Sequence, residues 1–114
     1  MTISDHDFLN YLSKFEKSQT FQLSRGANYK FQLESAPNPI ERMQFNIKFY
    51  SKNWKKDHDC PGKLAIECLD LYNSGLKKPE DYRNKTGQKS RSRRGNYLLP
   101  VLQEIEKYQA YNPT

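Results

Sequence analysis

Hydrophobic positions along this chain follow two different periods, and together these predict most of its elements. Phe8, Tyr11, Leu12 and Phe15 recur at the spacing of one helical face. Ser4 stands where an N-cap is wanted, and Asp7 three residues later completes a capping-box-like pair. Ile3 and Phe8 occupy the flanking staple positions, while Asp5 and Asp7 place negative charge at the positive end of the helix dipole. A first helix from about Asp5 to Lys17 follows.

From Thr20 the period drops to two. Phe21 and Leu23 suggest a short strand ended by a turn around Gly26. Tyr29, Phe31 and Leu33 then alternate with Lys30, Gln32 and Glu34. Met43, Phe45, Ile47 and Phe49 alternate with Gln44, Asn46, Lys48 and Tyr50. Both runs read as strands with one buried and one wet face. Pro37 and Pro39 between them deny the backbone donors a ladder needs, so a long hairpin loop is expected there.

After a polar link over residues 51–59, the helical period returns in Leu64, Ala65, Cys68, Leu71 and Tyr72, with Leu69 widening the face. Pro61 suits the first turn of this helix, and Asp59 or Cys60 could cap it. Asn73, Ser74 and Gly75 read as its stop, Gly75 taking the left-handed conformation and Leu76 folding back. Residues 77–96 carry no apolar periodicity and contain Pro79, Gly87 and Gly95, so they read as an exposed basic loop or arm. A last helix is expected from Leu98 or Leu99, with Pro100 in its first turn and Leu98, Val101, Leu102, Ile105 and Tyr108 as its stripe.

The expected fold is therefore α+β in a single domain, residues 1–114. An N-terminal helix precedes a small antiparallel sheet of two or three strands with a long Pro-containing hairpin loop. Two C-terminal helices follow, separated by the basic loop.

Charge sharpens this outline. Residues 83–94 contain Arg83, Lys85, Lys89, Arg91, Arg93 and Arg94 and no acid. Without those six, the remaining 13 of 19 basic residues balance the 13 acidic ones, so this segment holds the whole net charge of +6. Arginine predominates there, and its planar fork grips phosphate oxygens in pairs; the intervening Ser, Thr and Gln supply neutral donors. Nucleic acid is the expected partner, DNA ahead of RNA. The alternatives are an inhibitor or adaptor docking its arm on an acidic or phosphate-reading protein surface, and a solvated loop that binds nothing specific.

Lys52, Trp54, Lys55 and Lys56 form a second candidate contact, in which the indole either stacks on a base or closes the edge of the core. The wet strand face, Lys30, Gln32, Gln44, Asn46, Lys48 and Tyr50, is a third. Asp57, His58, Asp59 and Cys60 crowd potential ligands together, which keeps a small metal-dependent nuclease as a third functional reading. Adjacent residues seldom all converge, no second ligand pair has suitable spacing, and there is no glycine-rich phosphate loop. The expectation is a non-enzymatic protein without metal or other cofactor.

The apolar share is 35%, so the core must lean on eight Tyr, six Phe and one Trp. No apolar run is long enough to cross a bilayer, and the polar, acidic start predicts no secretory leader. Cys60 and Cys68, if on one helix, would sit about 12 Å apart and beyond the reach of a bridge. Free thiols suit a reducing compartment, and the cytoplasm is the expected location.

Overall fold

A computed structural model describes residues 2–22, 28–34, 45–78 and 89–111, with the side chains of 89–95 excepted. Among them the chain forms α1 (Asp5–Phe15), β1 (Phe21–Gln22), β2 (Asn28–Glu34), β3 (Asn46–Tyr50), β4 (His58–Pro61), α2 (Gly62–Asn73) and α3 (Lys89–Tyr111). The strands make one antiparallel sheet in the order β1-β2-β3-β4.

The register explains why alternation sufficed to find β2 and β3. Phe31 pairs with Phe49 and Leu33 with Ile47, so their side chains share one face with Tyr29. Between these pairs, Lys30 faces Tyr50, Gln32 faces Lys48 and Glu34 faces Asn46 on the other side. Phe31, Ile47 and Phe49 are fully buried beneath the helices, with Phe8 and Leu12 of α1, Leu69 of α2 and Leu98 and Leu102 of α3. Pro37, Pro39 and Met43 lie outside the described residues.

The sheet has four strands where two or three were expected. Residues 58–61 are not a helix entry but an edge strand, Ile47 pairing with Cys60 and Phe49 with His58. Helix α2 consequently begins at Gly62, with Pro61 as an N-cap in extended conformation rather than inside the first turn. Gly62 donates back to the Phe45 carbonyl at 2.7 Å, which ties the helix start to the sheet.

The helix ends follow local chemistry. Ser4 caps α1, its hydroxyl accepting from the Asp7 amide at 3.1 Å. That helix stops at Phe15, two residues short of the expectation, because Lys17 turns to φ +66° and donates to the Phe31 carbonyl of β2 at 2.7 Å. At the end of α2, Gly75 (φ +96°) donates to Tyr72 and Leu76 to Leu71, the paired bonds of a Schellman stop. Asn73 does more than end the helix. Its amide accepts from the Ile3 N–H and donates to the Ile3 carbonyl, both at 2.8 Å, closing the N-terminal segment onto α2.

The last helix departs furthest from expectation. It begins at Lys89 and runs through Pro100, which thus lies in its interior instead of its first turn. Lys89, Arg91, Arg93 and Arg94 therefore ride on helical backbone, not on a loop. Proline there offers no N–H to the Asn96 carbonyl four residues back and crowds it. One residue on, the Tyr97 carbonyl accepts instead from the Tyr29 hydroxyl at 2.7 Å.

Candidate nucleic-acid interface

A tight turn sets the geometry of the loop between β3 and β4. The Trp54 amide donates to the Ser51 carbonyl at 3.2 Å, leaving Lys52 and Asn53 at the exposed corner. The Ser51 hydroxyl donates to the Asn28 carbonyl at 2.6 Å and accepts from the Asn53 amide at 3.3 Å, so one side chain fixes the turn to the start of β2. Lys55 and Lys56 continue the loop and are exposed.

Trp54 is half-buried and packs against the core. Its ring stacks on Tyr29 at 5.5 Å and meets both His58 and Tyr97 at 5.0 Å. Tyr97 also touches Tyr29, Phe49 and His58, which makes one continuous aromatic cluster from the sheet to α3. Each such pair adds about 0.5–1.5 kcal/mol beyond its buried area. Burial, with the neighbouring Tyr97 phenol adding to it, pushes the Tyr29 hydroxyl far above the ordinary tyrosine value, so it remains a donor.

The Trp54–Tyr97 contact has a consequence for charge. Tyr97 follows Arg94 by less than one helical turn, so the loop bearing Lys52, Lys55 and Lys56 lies against the helix just after its basic turns. Two basic segments distant in sequence become neighbours through two aromatic rings. The first turn of α3 contains no acidic residue to offset the positive end of its dipole, and like-charged residues follow at three- and four-residue spacing. Such a helix start gains stability from an anion. Arg83 and Lys85 lie outside the described residues, as do the side chains of Lys89, Arg91, Arg93 and Arg94.

The wet strand face divides in two. At one end Lys48 pairs with Glu34 at 2.5 Å and reaches Asp57 at 4.0 Å, while Asn46 donates to Asp59 at 3.1 Å. The hydrogen bond and charge of Glu34 hold the Lys48 ammonium above its usual value. At the other end, Lys30 and Tyr50 stand opposite each other beside Lys52, and a cleft of about 440 Å³ opens between them. Gln44 is outside the described residues.

The cluster at 57–60 does not converge. Strand alternation turns His58 and Cys60 toward the core, opposite Phe49 and Ile47, and sends Asp59 to the outer face opposite Lys48. Among the described residues, no group of three or more His, Cys, Asp or Glu side chains could hold a metal ion. Cys60 and Cys68 lie on a strand and a helix respectively, both buried and not joined in a disulfide. No helix among the described residues is long and apolar enough to cross a membrane.

Sequence reasoning named Trp54 but missed its partners. Tyr97 sits directly before the apolar stripe of α3, and His58 alternates with Asp57 and Asp59; both patterns were available signals. No family model matches the chain, and comparison with curated proteins and with solved structures gives no match either.

Proposed function

We propose that this chain is a small, non-enzymatic nucleic-acid-binding protein that grips the phosphate backbone with residues 83–94 and extends the contact through the loop at Lys52, Lys55 and Lys56. One observation carries this reading: the segment holding the whole net charge runs onto the start of α3, immediately before the Tyr97 ring that packs against the second basic loop. Phosphates suit such a helix start, neutralising its basic side chains and favouring the positive end of its dipole. Two buried cysteines that form no disulfide fit a reducing compartment such as the cytoplasm.

Fluorescence-anisotropy titration against DNA and RNA across a range of salt concentrations tests the proposal. Six neutralised phosphates on duplex DNA give a slope of log K on log salt of about −5, and R91A/R93A/R94A should lower affinity and flatten that slope by about 3. Unchanged affinity in the triple variant would refute the proposal. Recovery of a single stoichiometric protein from a nuclease-treated extract would favour the acidic-partner alternative.

A further inference from the structure

The cleft at the open end of the sheet is built unlike the rest of the outer face. Its lining includes Thr20, Lys30, Tyr50, Lys52 and Asn53, with Tyr29 behind them. Tyr50 is half-buried on the outer face, away from the core, and Lys30 stands directly across from it in the β2–β3 register. No carboxylate is among the described residues that line it, whereas Glu34, Asp57 and Asp59 gather around Lys48 and Asn46 toward the other end. The wall at Lys52 and Asn53 is held in place by the two hydrogen bonds of Ser51.

A phenol side chain and two lysines lining one space of about 440 Å³ match the needs of a single nucleotide. The ring offers a stacking surface that every base satisfies, and the lysines offer charge to the flanking phosphates. A base inside a duplex cannot use such a site, because both of its faces are already stacked and it must first be flipped out. The turn that bears Lys52 also carries Trp54, so the cleft continues the surface described above.

We infer that this cleft is a nucleotide subsite, with one unpaired base stacked on Tyr50 and adjacent phosphates on Lys30 and Lys52, so that the partner is a single strand. The inference rests on the nucleic-acid reading and specifies which strand form it takes. The full-length chain should bind a single-stranded oligonucleotide about tenfold more tightly than the duplex of the same sequence. Y50A should lose about tenfold on the single strand and nothing on the duplex, while Y50F should retain affinity.

Y50A binding the single strand as tightly as the unaltered protein, while R91A/R93A/R94A weakens it, would overturn the subsite and leave the wider reading intact. Absence of binding to any oligonucleotide would overturn both. A free nucleoside monophosphate that competes as well as the strand would overturn assignment to a polymer. Because Y50A could disturb folding, photo-crosslinking of the unaltered protein to an iodouracil-containing strand gives a second measure. An adduct on Tyr50 supports the subsite, and adducts confined to other residues overturn it.

Discussion

The Tyr29 hydroxyl donates a 2.7 Å hydrogen bond to the carbonyl oxygen of Tyr97, joining the sheet to the part of α3 where Pro100 breaks the backbone ladder. The same two rings meet edge to face at 5.4 Å, so contact and hydrogen bond fix one relationship twice. Replacing Tyr29 with Phe keeps the ring and removes the donor. Urea unfolding should show a loss of about 1 kcal/mol. Truncation to Ala removes the centre of the cluster and should cost about 3–5 kcal/mol. A Y29F variant with an unchanged midpoint would show that the hydrogen bond contributes nothing net.

Buried phenols make the fold sensitive to alkali. Burial, reinforced by the charge of Glu104, pushes Tyr11 up to about 12, and Tyr29 is raised further. Between the ordinary value near 10 and these raised values, the folded chain keeps protons that the unfolded chain has lost. The stabilisation is therefore complete below about pH 10 and is lost as pH climbs through about 12. Phenolate absorbance and circular dichroism, followed together, should show these side chains ionising only as the fold is lost. Ionisation of all tyrosines with circular dichroism unchanged would contradict this.

Lys17 adopts φ +66°, where a β-carbon is crowded, and its side chain is exposed. Glycine fits that geometry and leaves the amide free to donate to Phe31. K17G should stabilise the protein by about 0.5–1 kcal/mol, read as a higher thermal midpoint, whereas a β-branched residue there should lower it. An equal fall in both variants would refute the strain argument.

The two thiols are inert while the fold persists. Burial, with the charge of Glu67 adding to it, pushes the Cys68 thiol up to about 12, leaving on the order of one molecule in ten thousand as thiolate at about pH 8. Cys60 is likewise fully buried. An aromatic disulfide reagent should therefore react at a rate set by opening of the protein, accelerating with urea well before the unfolding midpoint. Rapid reaction of either thiol in native buffer would show that its surroundings open locally.

Much of this fold was legible because it is locally encoded. Alternation in Tyr29–Leu33 and Phe45–Phe49, the cap at Ser4 and the stop at Gly75 each need only a few neighbouring residues to be recognised. What escaped was decided across the chain. A four-residue strand containing Pro61 carries almost no propensity of its own and is defined by pairing with β3. The link between Asn73 and Ile3 spans 70 positions, and nothing near either residue announces it. The start of α3 has no apolar stripe, and its helical backbone follows from Lys and Arg being good helix formers continuous with an anchored segment. The candidate interface was half-visible for the same reason: its charge is a run, while its aromatic junction and cleft are assembled from four separate segments.

Pro100 makes α3 two ladders in series rather than one. Because the proline can neither donate to Asn96 nor yield to it, the helix is one bond short at Asn96, and unwinding that starts at Lys89 reaches that point before it meets Tyr97, Leu98 and Leu99 packed on the core. The basic stretch should thus melt and reform ahead of the segment that Tyr97 and Leu98 anchor. Amide hydrogens before and after Asn96 should exchange as separate blocks, and a bound polyanion should slow the first block while leaving the second untouched.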